Sequence, residues 1–255
     1  MAAKTYLVDH TVTYEEVHAD CPLIDIYFRL HNPCRHPIVA IPDGMNDLQF
    51  LYGPFQTKPE VVFGGTALRG RERLIPVSDW LFGVRFRPGI VPQSLSATMD
   101  KVVDLAVPVY SVPYFDRIWK AVSRERNFHE QIRLFEGMFF PWIYRPLHDI
   151  TQELLRRTAH IGPYDTVDTL VAETGYSHVH VNRVFKGDMG FSLKFYLDIL
   201  RMQRVISCME TGGAGSLQAL SENMGFYDQS HFIRTFKKYT TVTPKEFMKQ
   251  FIITA

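Results

Sequence analysis

The stretch GFYDQSHFIRTFKKYTTVTPKEF, residues 225–247, decides how the C-terminal half of the chain is read. A glycine and an aromatic residue are followed by Asp228, a polar run, Phe232, Arg234, Phe236, two lysines and then Thr243-Pro244. Glycine can close one helix in the left-handed conformation. Asp228 suits the cap that starts the next. Phe232 and Phe236 stand four apart, so on a helix they share one face and point to the core. Gln229, Ser230, Ile233, Arg234 and Lys237 are left on the outer face.

The same unit occurs upstream, in LVAETGYSHVHVNRVFKGDMGFSLKFY at residues 170–196. Leu170, Gly175 and Tyr176 match Leu220, Gly225 and Phe226 at an offset of 50. After one inserted residue, Arg183, Phe185, Lys186, Ser192 and Tyr196 match Arg234, Phe236, Lys237, Thr243 and Phe247 at an offset of 51. Such a repeat is one supersecondary unit built twice. Two helices joined by a short glycine-containing turn make a helix-turn-helix. In the first copy Ser177 is the expected cap, Val181 and Phe185 the core contacts, and Asn182, Arg183 and Lys186 the outward residues. Residues 192–211 between the copies read as one amphipathic helix, with Phe195, Ile199, Met202, Ile206 and Met209 on a stripe and Gly212-Gly213 at its end. That helix would hold the two units at a fixed separation.

This chemistry suits DNA. Arginine bonds guanine O6 and N7 bidentately, glutamine or asparagine pairs with adenine, and a flanking lysine reaches phosphate. Two reading helices one DNA turn apart, roughly 34 Å, fit successive major grooves on one face of a duplex. The net charge of +1 excludes a globally basic nucleic-acid coat, so contact with DNA must be local.

With 255 residues, 46% hydrophobic and 22% charged, the chain suits one large or two ordinary globular domains. It has no apolar run long enough for a membrane span and no apolar block after its N-terminus such as a signal peptide needs, so a cytoplasmic location is expected. Cys21, Cys34 and Cys208 are scattered, without zinc spacing, and read as free thiols.

The N-terminal half reads as strands. In LIDIYFRL (23–30), Ile24, Ile26, Phe28 and Leu30 alternate with Asp25, Tyr27 and Arg29, the pattern of a half-buried strand. Leu48, Phe50 and Tyr52 share a face, as do Phe82, Val84 and Phe86. Turn signals such as Pro42-Asp43-Gly44 and Pro88-Gly89 separate them, which predicts a sandwich or barrel. From about residue 112 the spacing becomes helical: Phe115, Ile118, Trp119 and Val122, then Phe128, Ile132, Phe135 and Phe139. The expected fold class is α+β. A β-barrel or jelly-roll-like domain with trailing helices would occupy residues 1–145, the barrel about 1–110 and the helices about 113–143. An all-α domain would occupy residues 146–255, with helix-turn-helix units about 166–187 and 216–239 joined by the long helix.

Several N-terminal features bear on whether this half binds a ligand or carries chemistry. Arg85 and Arg87 alternate with Val84 and Phe86, so they share a strand face. If that face lines the barrel they could bind the carboxylate of an effector; if it faces water they have no special role. The run Arg69-Gly70-Arg71-Glu72-Arg73 suits either an acidic effector or a solvated edge. His31 and His36 are close but bracketed by prolines, without the histidine-glutamate spacing that binds metal, and neither metal nor cofactor is expected. Cys21 and Cys34, the latter beside Arg35, are the available thiols for catalysis, but no GxSxG, HExxH or phosphate-cradling loop accompanies them. The chain is therefore read as a non-enzyme. The aromatic segment 128–142 is core or, in part, a homodimer face.

The C-terminal pattern resembles the DNA-binding domain of AraC/XylS-type transcription regulators. The residues that carry the resemblance are Gly225, Phe226, Asp228, Ser230, Phe232, Arg234, Phe236, Lys237, Lys238, Thr243 and Pro244, with GYSHVHVNRVFKGDMGFS as the first copy; it covers roughly residues 147–250. It implies that Val179, Asn182 and Arg183 face bases from the first unit, and Gln229, Ser230, Ile233 and Arg234 from the second. Double-stranded DNA, and by implication RNA polymerase, would be the partners. Two positions depart from the pattern. Val179 offers only an apolar contact to a thymine methyl, and residues 239–242 lack the glycine usual before the second Thr-Pro turn. PDGMNDLQF and GVRFRPG resemble, less specifically, the sensor domains of such regulators. That implies a cupin-like barrel for a small-molecule effector, followed by dimerisation helices. The resulting expectation is a sequence-specific transcription regulator. The alternatives are an enzyme, or an architectural protein insensitive to effectors, with a fused DNA-binding tail.

Overall fold

The structure, a computed structural model, describes residues 6–8, 12–32, 38–53, 58–73, 80–92, 102–109, 113–139, 146–159, 162, 165–213 and 215–251. Cys34, His36 and residues 140–142 of the aromatic segment lie outside these. The chain is α+β. Among the described residues, nine strands lie before position 109 and the elements that follow are helices. The strands are β1 (Tyr6–Leu7), β2 (Thr13–His18), β3 (Ile24–His31), β4 (Ile38–Ala40), β5 (Asn46–Tyr52), β6 (Glu60–Gly64), β7 (Arg71–Arg73), β8 (Trp80–Phe86) and β9 (Ala106–Pro108). They form two antiparallel sheets, ordered β2-β3-β8-β5-β6-β9 and β1-β4-β7.

The larger sheet is covered on both faces. Tyr6, Ile38 and Ala40 of the small sheet pack with Ile26, Phe28, Leu30, Leu51 and Leu81. On the opposite face, Leu48, Phe50, Phe82, Val84 and Phe86 meet two helices, α1 (Pro113–Val122) and α2 (Phe128–Met138). The helices contribute Phe115, Ile118, Trp119, Val122, Phe128, Ile132 and Phe135, the stripe that the helical spacing predicts. Strand β3 differs from its expected half-burial. A register shift between Ile24 and Ile26 puts Ile24 on the helix-covered face with Tyr27, while Ile26, Phe28 and Leu30 face the small sheet. Tyr27 is buried rather than outward, its hydroxyl donating to Glu136 at 3.0 Å. A bulge turns the strand mid-course, which strict alternation cannot foresee.

The C-terminal half, as described, holds seven helices: α3 (Asp149–Thr158), α4 (Val167–Ala172), α5 (His178–Met189), α6 (Leu193–Glu210), α7 (Leu217–Asn223), α8 (Gln229–Thr240) and α9 (Pro244–Phe251). Each start carries its cap. Thr166 and Thr169 cap α4 reciprocally, and Ser192 and Ser216 cap α6 and α7. The Thr243-Pro244 turn is explained by a reciprocal cap on α9: the Thr243 N–H donates to Glu246 at 2.7 Å, and the Glu246 N–H donates back to Thr243 at 3.3 Å. The Thr243 N–H and the Thr243 hydroxyl, which donates to the same carboxylate at 2.8 Å, hold the Glu246 carboxyl below its ordinary range.

The C-terminal ends of α5 and α8 differ at one equivalent position. Gly190 closes α5 at φ +80°, and 51 residues later Thr241 closes α8 at φ +68°. The left-handed region costs a non-glycine residue about 1–2 kcal/mol, and a β-branched one is poorly suited to it. The departure from the usual glycine is thus a small strain, not a change of fold. Thr241→Gly is expected to stabilise the chain by roughly 0.5–1 kcal/mol, less than the strain because glycine frees the unfolded chain. Urea unfolding checks this, and a loss of stability would contradict it.

The core does not stop between the halves. Leu7, Val39 and Ile41 of the small-sheet region share a buried cluster with Ile199, Met202, Val205, Phe232, Phe236 and Tyr239. Leu68 and Val103 pack against the cluster around α4, α5 and α6. The buried Gln203 side chain donates to the Pro42 carbonyl at 2.7 Å. The Gly70 N–H donates to the Lys238 carbonyl at 3.0 Å, capping a carbonyl in the last turn of α8 that its own helix leaves unfilled.

Candidate nucleic-acid interface

Two helices present the outward residues that the repeat predicts. Gly175 (φ +72°) and Gly225 (φ +71°) take the left-handed conformation in the turns that precede them. Ser177 Oγ then accepts from the His180 N–H at 3.3 Å, and Asp228 Oδ1 from the His231 N–H at 2.6 Å. Val181 and Phe185 on α5, and Phe232 and Phe236 on α8, are fully buried. This anchoring fixes the rotation of each helix about its axis, so the opposite face is committed to solvent.

On α5, Val179 is 81% exposed, and Arg183 and Lys186 are exposed. Asn182 is half-buried, and its Nδ2 donates to the His178 carbonyl at 3.2 Å. Arg183 Nη2 lies 3.2 Å from His180 Nδ1. On α8, Gln229, Ser230, Arg234 and Lys237 are exposed, while Ile233 is half-buried against the core beneath it. Ile233 therefore differs from the other outward positions: part of its side chain belongs to the fold. Lys238 is exposed, with its ammonium 5.3 Å from the centre of the Tyr239 ring.

The two copies part at the aromatic after the glycine. Phe226 is buried, packing on Phe232 at 5.1 Å between centroids, whereas Tyr176 is 55% exposed and tilts over His180 at 5.2 Å. Tyr227, one residue before the cap of α8, is 93% exposed. Neither tyrosine is among the contacts that the repeat predicts. The inserted residue between the copies is the signal for Tyr227, since it adds an aromatic with no core position to fill. An exposed tyrosine at a helix entry offers a hydroxyl to phosphate.

The N-terminal candidates separate. Arg85 is fully buried, whereas Arg87 lies beyond the end of β8 and is exposed, so they do not share a face as expected. Arg85 Nε lies 3.5 Å from Asp43 Oδ2 and 3.4 Å from Asp47 Oδ1. Burial works against its charge, but these two carboxylates overcome that and hold its pKa above the ordinary range. Tyr6 donates to Asp47 at 3.2 Å, and Gln49 donates to Tyr6 at 2.7 Å. The space beside this network is only about 20 Å³. The protein's own carboxylates thus occupy the position expected for an effector's. In the arginine run, Arg71 lies 3.6 Å from Asp104 and sits on β7, an edge of the small sheet. Among the described residues no three of His, Cys, Asp and Glu come together as a metal site, and no helix is long and apolar enough to cross a membrane.

Residues 170–250 match the family described as a helix-turn-helix domain. Over 81 residues the chain is 31% identical to the probable transcription factor PqrA of Proteus vulgaris, covering 32% of this chain and 66% of that protein. It is 30% identical over 82 residues to the multiple antibiotic resistance protein MarA of Escherichia coli, covering 32% of this chain and 64% of that one. The chain thus spans just under two thirds of these relatives' length. Among solved structures, ToxT of Vibrio cholerae aligns over 96% of this chain and 98% of its own, at 12% identity and a TM-score of 0.46. The C-terminal domain of AraT from Geobacillus stearothermophilus covers 42% of this chain and 90% of its own, at 20% identity and a TM-score of 0.39. The duplicated caps, turns and buried phenylalanines lie within the matched segment, and residues 170–250 belong to the AraC-type helix-turn-helix family.

Proposed function

We propose that this chain is a sequence-specific, DNA-binding transcription regulator. In this reading α5 and α8 enter successive major grooves, and the N-terminal half, about residues 1–145, takes a small-molecule effector. The observation that carries the proposal is the equivalence of the two outward faces. Arg183 and Lys186 recur as Arg234 and Lys237 at an offset of 51, each pair exposed above a phenylalanine that is fully buried. A solitary exposed arginine is ordinarily just solvated. Two at matched positions on matched helices point to a shared ligand with a repeating structure.

The roles within each face follow from chemistry. Arg183 and Arg234 are assigned to base edges, with Val179 contributing apolar contact and Gln229, Ser230 and Asn182 polar contact. Lys186 and Lys237, one turn further along, are assigned to phosphate. The 18-residue α6 spans about 27 Å at 1.5 Å per residue and sets the spacing of the units.

Arg234→Ala is expected to relax preference at one base position at a cost of about 1–3 kcal/mol. Lys237→Ala is expected to weaken binding to all sequences alike and to lower the salt slope by about one. Selection of bound duplexes from a random pool, followed by salt titration of each variant, separates the two. Identical effects of both substitutions on every sequence would sink the assignment.

A further inference from the structure

A cavity of about 490 Å³ opens at the far ends of β5 and β8, where they meet the turn between α1 and α2. It lies on the helix-covered face of the large sheet, away from the enclosed Arg85 network. Its volume falls within the range of roughly 300–1,000 Å³ usual for small-molecule sites. The wall includes Tyr52 and Trp80 from the sheet, Gly53 just past the end of β5, and Glu125 and Arg126 from the turn, with Arg29 beneath.

The polar groups of this wall are not equally available. Arg29 is already matched: it pairs with Glu15, donates to the Arg126 carbonyl at 2.6 Å, and lies between the Trp80 and Phe128 rings at 5.1 and 5.4 Å. The Glu125 carboxylate is turned back on its own turn, accepting the N–H groups of Arg126 and Asn127 at 2.6 and 2.7 Å. The Arg126 side chain is exposed, and among the described residues it has no carboxylate partner. Tyr52 supplies a second donor. Its hydroxyl lies 2.7 Å from Gln131 Nε2, which also faces the carbonyls of Val122 and Glu125 at 3.0 and 2.9 Å. An amide NH₂ only donates, so the Tyr52 proton is not used by Gln131, and Tyr52 is one of the residues that line the cavity.

We infer that this cavity binds a small organic carboxylate, with the anion held by Arg126 and the Tyr52 hydroxyl and the apolar body against Trp80 and Gly53. Glu15 offsets Arg29, and the Glu125 carboxylate is taken up by the N–H groups of its own turn, which leaves the Arg126 guanidinium as the uncommitted charge of the lining. An anion would match that charge, and a guanidinium with a hydroxyl donor suits two carboxylate oxygens. The inference rests on the reading of the N-terminal half as an effector domain, and it names a site and a ligand class for it. A molecule there would touch both the sheet and the α1–α2 turn, so binding would tie the helices to the sheet.

The test is titration calorimetry of the full chain with cyclohexanecarboxylate and with cyclohexanecarboxamide, which share a shape and differ in charge. The acid is expected to bind at least ten-fold more tightly than the amide. Arg126→Gln is expected to bring the acid down to the affinity of the amide, and Tyr52→Phe to weaken it several-fold. Arg126 is exposed, so its loss leaves the fold intact, and a thermal melt of the variant verifies that. Equal affinities for acid and amide, no heat from either, or an unchanged affinity in Arg126→Gln would each overturn the inference. DNA affinity measured with and without the acid tests the effector reading separately. Carboxylate binding with no change in DNA affinity would leave the cavity assigned and remove its regulatory role.

Discussion

Arg85→Met is expected to destabilise the chain by about 3–5 kcal/mol, the cost typical of leaving a buried charge without its partner. The arginine is fully buried, and Asp43 and Asp47 lie beside it with little exposure of their own. Methionine fills much of the same volume, so the loss is electrostatic rather than a cavity. Two carboxylates would then face each other in a site with no cation, and one would have to take up a proton. Adding Asp43→Asn and Asp47→Asn to the methionine variant is expected to recover part of the loss. Urea unfolding of the three proteins decides the matter. A cost below about 1 kcal/mol would mean that water reaches this network and screens it.

Gly70→Val is expected to cost about 2–4 kcal/mol, through overpacking and the loss of a backbone hydrogen bond. A Cβ built on Gly70 would sit 2.3 Å from the Tyr239 carbonyl oxygen and 2.8 Å from the Thr240 nitrogen. Both are backbone atoms of α8, so neither can rotate away. The strand-bearing half would have to lift from α8, breaking the Gly70–Lys238 bond. Gly44 and Gly89 also lie close to the C-terminal half, but against side chains, those of Tyr196 and of Leu147 and Met189. The valine variant should therefore open this contact to limited proteolysis as well as lower its melting temperature. Gly187→Ala is the control, since a Cβ there meets nothing within 4 Å. It lies inside α5 and is expected to be neutral or to stabilise by up to about 1 kcal/mol. Equal behaviour of the two variants would show that Gly70 is not a contact point.

Much of the candidate interface was legible in the residues themselves. Ser177 and Asp228 are caps, Val181, Phe185, Phe232 and Phe236 are buried, and α6 runs from Leu193 to Glu210 between its Ser192 cap and Gly212. All of these follow from helical periodicity and capping, which act over four or five residues. The exposure of Tyr176 against the burial of Phe226 did not follow, because the two aromatics match in type and differ only in what the surrounding helices leave open. Ile233 is similar: its position on the helix is outward, and only the neighbouring core covers part of it.

The N-terminal half was less legible for the same reason. Alternation identified β3, β5 and β8, but it could not show that α1 and α2 cover the face of Tyr27, nor that a bulge at Asp25 turns Ile24 to that same face. Arg85 and Arg87 looked alike because both obey a period of two. Only the end of β8 at Phe86, and the placing of Asp43 and Asp47 across from Arg85, told them apart.

By itself the sequence determined what depends on neighbours along the chain: two capped helix-turn-helix units, their outward arginines and lysines, and the strand-then-helix order. The tertiary structure decided what depends on residues brought together from afar. It placed the two carboxylates around Arg85, Gly70 against the end of α8, and Tyr52 and Trp80 beside the Arg126 turn to enclose a cavity. Those partners are separated by tens to more than a hundred residues, and no periodicity carries information over that distance.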